Sequence, residues 1–189
     1  MKSLARLGGH SVSLPLAADD IVEFHAARLL LLLSICGTSG RIDGLTKLAK
    51  LDFFARYPDF FEAARSASEV RKDEVASATE ARSAVESAMV RHHYGPWDKR
   101  YYHVLAGLEG KELIAVTKEG NAYRIALTAR GTERAKALAA KPSFAPLVER
   151  MRQVKKTFGG KSGSSLKNLI YELFDEEVGK RPMGGVITS

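Results

Sequence analysis

Leucine dominates one short stretch of the chain and sets its first element. From Ile21, apolar residues recur at Phe24, Ala27, Leu31 and Ile35, while Leu29, Leu30, Leu32 and Leu33 fill the remaining faces. A helix over residues 21–36 that is apolar nearly all round belongs inside a core. Asp19 and Asp20 precede it, where a carboxylate can cap free N–H groups and suits the positive end of the helix dipole, and Gly37 ends it. After the turn at 37–44, the spacing of Leu45, Leu48, Leu51 and Phe54, broadened by Phe53, predicts a second helix over 45–57. Pro58 should stop or kink that helix, and a third, short helix follows over 59–67.

Residues 66–79 are polar and read as an exposed loop or frayed helix. A fourth helix is expected over 79–90 on the stripe Ala81, Ala84, Val85, Ala88 and Met89. Residues 91–97 form an irregular aromatic connector, and a fifth helix covers 99–109. The pattern then changes period. Two strand-like runs over 113–127 flank Glu119, Gly120 and Asn121, and glycine with asparagine at the break is a hairpin signal. Thr128 can cap a helix over 128–138. Pro142 and Pro146 mark a junction before a helix over 144–157. Residues 159–163 read as a flexible linker, and Ser164 or Ser165 can cap a last helix reaching 178. A leader over 1–17 and a tail over 179–189 look loose.

Composition narrows the class. Of 189 residues, 45% are hydrophobic and 27% charged, as in a soluble globular protein of one domain with a small appendage. The run Leu29–Cys36 falls short of the roughly 20 apolar residues a bilayer span needs, so neither a membrane anchor nor a signal peptide is expected. The single cysteine, Cys36, allows no internal disulfide and no cysteine zinc site. It should be buried, and it suits a cytoplasmic protein.

Charge is uneven. The net charge is +7, and residues 111–163 hold twelve Lys/Arg against four Asp/Glu, so the surplus lies in the second half. Such a balance favours phosphates or acidic protein surfaces. Nothing points to catalysis. His92 and His93 are adjacent and cannot face one metal, and His10, His25 and His103 are scattered. Gly159, Gly160, Lys161 and Ser162 have the look of the end of a phosphate-binding loop. Lys155, however, stands where its first glycine is required, and no apolar strand precedes it. No paired acid and base stand out. The expectation is a non-enzyme without cofactor or metal.

The most specific local order is helix, hairpin, then Leu127, Thr128 and Gly131 opening another helix. It resembles the wing and following helix of winged-helix proteins. The expected fold is therefore mostly α with a small β-hairpin: a winged-helix domain over 18–141 and a C-terminal helical extension over 142–178. A projecting hairpin can present cations to a phosphate backbone. Lys118 and Arg124 on it, Arg130 and Arg134 after it, and Lys99 and Arg100 before it are candidate DNA contacts. Trp97, Tyr94, Tyr101 and Tyr102 interleave with these cations and can stack on bases, or lock a helix junction instead.

Two blocks carry a wider resemblance. One is Arg28 with the leucines after it, followed by Gly44, Leu45, Lys47, Leu48, Lys50, Leu51, Asp52, Phe53, Phe54, Arg56, Tyr57 and Pro58. The other is Gly95, Pro96, Trp97, Asp98, Lys99, Arg100, Tyr101 and Tyr102, leading through the hairpin to Gly131. Over residues 20–140 the chain resembles the middle component of bacterial ABC-three-component systems, a group that includes the small accessory subunit of Lamassu-type antiphage defence. The resemblance implies a non-catalytic subunit binding an SMC-like coiled-coil ATPase and an effector, with double-stranded DNA as a further contact. Lys47, Lys50, Asp52 and Arg56 are then hallmarks expected near the solvent side of their helix, where they pair internally or dock a partner. With Trp97, the three cations Lys47, Lys50 and Arg56 are candidate partner contacts. A winged-helix transcription regulator acting as a homodimer is the competing expectation.

Overall fold

The computed structural model describes residues 21–70, 89–92, 95–120 and 122–174. The leader, Asp19 and Asp20, the expected helix over 79–88, His93, Tyr94, Asn121 and the segment from 175 lie outside the described residues. The fold is mostly helical, with a small three-stranded antiparallel sheet.

Helix α1 (Val22–Cys36) is the central rod, with Leu29 to Leu33 at most 4% exposed. Its C-cap, Gly37, closes the last turn by donating its N–H to the Leu33 carbonyl. A tight turn, in which the Thr38 and Arg41 backbones bond each other, leads into strand β1 (Arg41–Asp43). Gly44 joins β1 to helix α2 (Leu45–Arg56) at φ 93°, a conformation that a side chain resists. Helix α3 (Pro58–Val70) starts at the proline instead of being broken by it, because the first turn needs no donor there. The expected aromatic connector is a two-stranded ribbon, β2 (Val90–His92) against β3 (Gly95–Trp97), with Val90 opposite Trp97. Val90 thus belongs to a strand, not to the end of a helix.

Helix α4 (Tyr101–Gly110) feeds the hairpin of β4 (Ile114–Glu119) and β5 (Ala122–Leu127). The sheet order is β1-β5-β4, with Ile42 opposite Ile125 and Val116 opposite Ile125 from the other side. Alternation puts Ile42, Ile114 and Ile125 on the core face, each at most 2% exposed. Helix α5 (Ala129–Ala139) begins at Thr128, whose Oγ1 accepts from the Gly131 N–H at 2.9 Å and donates to the Glu112 carbonyl at 2.7 Å. Gly131 itself crosses the Leu113 carbonyl so closely that a Cβ would sit 1.8 Å from its oxygen. The spacing of threonine and glycine is therefore a packing requirement as well as a capping one.

A 3-10 turn (Pro142–Phe144) and helix α6 (Ala145–Phe158) bring the chain back along α1. Phe144 stacks on Phe24, and the Cys36 thiol donates to the Met151 carbonyl. Residues 159–163 are not a slack linker. They form a short turn whose Gly159 carbonyl accepts from Lys47 Nζ and whose Gly163 lies against the Lys47 backbone. The cap of helix α7 (Gly163–Leu173) is Ser162, two to three residues earlier than expected, and the helix ends at Leu173. One continuous hydrophobic cluster runs from Leu29 through Phe53, Phe54 and Phe61 to Met151, Phe158, Leu166 and Phe174.

Candidate functional site

Helix α2 decides the character of the interior. Its residues from Leu48 to Arg56 are all buried, because α1, α3, α6, α7 and the strands β1 and β3 pack around it. There is no solvent side. Lys50 and Asp52 are 0% exposed and Arg56 is 1%. The expectation that these charges face outward is overturned, and with it the assignment of Lys50 and Arg56 as partner contacts. Trp97, 7% exposed and set edge-on against Tyr101 at 5.2 Å, is interior as well. Lys47 alone of that set is only half-buried, and its ammonium is engaged with the Gly159 carbonyl at 2.9 Å.

Buried charges must be paired and hydrogen-bonded to be tolerated, and most of these are. Asp52 receives Arg28 Nε at 2.9 Å, Arg28 Nη2 at 3.3 Å and the Tyr101 hydroxyl at 2.7 Å. Arg56 donates to Asp98 Oδ2 at 3.0 Å and lies 3.9 Å from Asp52. Asp98 also takes the forked guanidinium of Arg100, two bonds of 2.9 Å, and the Arg100 backbone N–H at 3.0 Å. Arg28 Nη1 meets His25 Nδ1 at 2.8 Å. Burial by itself would raise the Asp98 carboxyl. The bonds from Arg100 and the charge of Arg56 outweigh it and hold the group well below the usual carboxylate range. Burial, and then Asp52, push the Tyr101 hydroxyl well above its ordinary value.

Lys50 is different. Its Nζ donates to the Pro96 carbonyl at 2.8 Å, and no carboxylate among the described residues pairs with it. Burial, with the charge of Lys167 on α7, lowers it from 10.5 to about 7.

These contacts join the two blocks that carry the resemblance. Lys50, Asp52 and Arg56 reach Pro96, Tyr101 and Asp98 in turn. The arrangement fixes the β3–α4 junction on α2. Its charged members are almost wholly buried apart from Arg100, whose side chain is 34% exposed. No group of His, Cys, Asp or Glu among the described residues is placed to hold a metal.

The accessible surface around α4 and the hairpin is the remaining candidate. Lys118 is exposed on β4, opposite Tyr123, which is 40% exposed. Arg124 beside it is held by Glu119 and Asp43. Arg130 stands 3.8 Å from Glu112, and Arg134 is exposed on α5 without an ion pair among the described residues. Lys99 is exposed at the head of α4, whereas Arg100 is committed to Asp98. The structure therefore does not bring the six candidate DNA contacts together as one free cluster. Two of them, Arg124 and Arg100, are neutralised by neighbours.

The outer face of α4 carries Tyr102, His103, Ala106, Gly107, Glu109 and Gly110, and Tyr102 is 61% exposed. The sequence singles out only Tyr102 on this face, as a stacking candidate, because the rest has no charge run or motif. The interior network had a visible signal: Arg28 sits inside an otherwise apolar helix, and an arginine there must find a counter-ion. No helix among the described residues is long and apolar enough to cross a membrane. Compared with family models, curated proteins and solved structures, the chain matches none.

Proposed function

We propose that the chain is a non-catalytic accessory subunit of a cytoplasmic antiphage complex, a winged-helix body that docks on an SMC-like coiled-coil ATPase and its effector. Two structural features support the winged-helix part. A helix leads into the hairpin, and the first strand zips onto the hairpin's second strand to give the order β1-β5-β4. The ATPase and effector rest on the sequence resemblance.

The face of α4 carries the choice of protein over DNA as the main partner. The commonest base contacts of a helix in the major groove come from arginine, lysine, asparagine or glutamine. The outward positions of α4 offer none of these and include Glu109. Ala106, Gly107 and Gly110 permit close approach of another backbone, and Tyr102 supplies an aromatic anchor of the kind that dominates protein interfaces. The exposed Lys118 at the wing favours the second reading, a homodimeric DNA-binding regulator, or an auxiliary phosphate contact within the first.

Co-expression with neighbouring genes and affinity purification of the tagged chain at moderate salt tests the proposal. A large coiled-coil ATPase should co-purify, and Ala106→Arg, at an exposed position of α4, should release it while the thermal midpoint of the chain stays close to that of the wild type. A stable homodimer with a sequence-specific duplex footprint of steep salt dependence, and no ATPase, overturns it.

A further inference from the structure

We infer that the groove between α3 and α6 is a docking site for an acidic peptide segment of a partner protein. The groove has a volume of about 590 Å³ and is open to solvent, with Phe61, Glu62, Arg65 and Ser68 on one wall and Gln153, Lys156, Thr157 and Lys161 on the other. Its origin is legible in α3. Phe60 and Phe61 anchor the first turns, against Phe174 and Phe158 respectively. Beyond them, among the described side chains, the inward stripe continues as Ala64, Ala67 and Ser68. The helix runs on to Val70 over this shelf of small side chains, leaving space beside α6.

The charge inside is unbalanced. Glu62 is taken by Arg65, two bonds of 2.6 and 2.8 Å. Lys156 and Lys161 have no carboxylate or carbonyl partner among the described residues. A concave surface with uncompensated charge of one sign concentrates the field and attracts the opposite sign. A peptide fits better than a duplex. The space is a narrow cleft between two helices, and its lining carries amide and hydroxyl groups that can pair with a peptide backbone. Asp or Glu side chains can meet Lys156 and Lys161, while Gln153 and Thr157 can serve the peptide backbone. The proposal does not depend on what α4 docks.

Anisotropy of a fluorescein-labelled octaglutamate peptide, titrated with the full chain at about 0.15 M salt, where the Debye length is about 8 Å, reads the site directly. Lys156→Glu with Lys161→Glu should weaken binding by about tenfold or more, equivalent to at least ~1.4 kcal/mol. Arg134→Glu with Lys136→Glu makes the same change of net charge on α5 and should weaken it by no more than about threefold, since exposed charges beyond a Debye length are screened. Ser68→Trp fills the shelf without altering charge and should also weaken binding severalfold, with circular dichroism melting confirming that each variant is folded. Equal losses in both double variants, or wild-type binding by Ser68→Trp, overturn the proposal. So does a 20-base-pair duplex that loses affinity in the groove variants while the peptide never binds.

Discussion

Replacing Lys50 with methionine should stabilise the protein at neutral pH, and the gain should fade as pH rises. Methionine keeps the unbranched stem that fills the space on α2 and removes the ammonium. The magnitude follows from the lowered titration of Lys50, from 10.5 to about 7. Below pH 7 both folded and unfolded chains carry the charge, and the folded one bears the full cost of burying it. Between pH 7 and 10.5 the unfolded chain holds the proton and the folded chain has released it, so stability rises with pH; above 10.5 the cost vanishes. At 1.36 kcal/mol per unit, the burden on the wild type is on the order of 4 kcal/mol at pH 7 and 2 kcal/mol at pH 9.

The substitution also orphans the Pro96 carbonyl, which accepts from Lys50 at 2.8 Å. That loss costs about 1–3 kcal/mol. The net expectation is a gain of about 2 kcal/mol at pH 7 and almost none at pH 9. Urea unfolding of both proteins at half-unit intervals from pH 6.5 to 9 measures the difference, and other titrating groups cancel in it. A variant less stable than the wild type at pH 7, by an amount that does not change with pH, would refute the reasoning. Lys50 would then have a compensating partner, and its burial would not be a cost.

The remaining expectations follow from single contacts. Asp52→Asn leaves Arg28 and Arg56 facing a neutral amide in a sealed interior, and should cost about 3–5 kcal/mol in denaturant unfolding; a loss under 1 kcal/mol would mean that water reaches the network. Gly131→Ala drives a methyl group into the Leu113 carbonyl, so the start of α5 must shift; a drop of about 2–4 kcal/mol is expected, and a neutral outcome by calorimetry would contradict the close approach. Cys36 is 3% exposed and its thiol is pushed up to about 12 by burial, so iodoacetamide at pH 8 should label it only as fast as the protein unfolds. Labelling at the rate of a free thiol would place it outside the core.

Where the sequence succeeded, the signal was local. The hairpin is written in alternation around Gly120, and the capping of α5 in the spacing of Thr128 and Gly131. Helix α1 is apolar enough that burial was its only outcome. The failure at α2 came from treating a charged residue as evidence of solvent. Lys50, Asp52 and Arg56 share a helix with Leu48, Leu51 and Phe54, and amphipathic logic assigns the two sets to opposite faces. That logic holds when one side of a helix is bare. Here α7 and β3 cover the second side, and their arrival is a fact of tertiary packing that no window on α2 contains. The counter-ions are distant too: Arg28 lies 24 residues from Asp52, and Tyr101 lies 49. The ribbon at 90–97 was missed because three-residue strands are too short for period-2 patterning to register.

The interior charges have a consequence for the outer surface. The segment entering α4 has few apolar anchors of its own beyond Trp97 and Tyr101. Its position is set by three polar reaches from one helix: Lys50 to Pro96, Arg56 to Asp98 and Asp52 to Tyr101. These fix where α4 begins and how it is rotated, so they determine that Tyr102, Ala106 and Gly107 face outward. A wholly apolar junction of the same volume could be as stable or more so, since buried ion pairs seldom add net stability. Directional bonds, however, define rotation about the helix axis, which apolar contact leaves loose. On this view the two sequence blocks behind the resemblance form one construction, an internal clamp that presents α4. Altering the clamp at Asp98 should then weaken docking and stability together, whereas Ala106→Arg on the outer face should weaken docking alone.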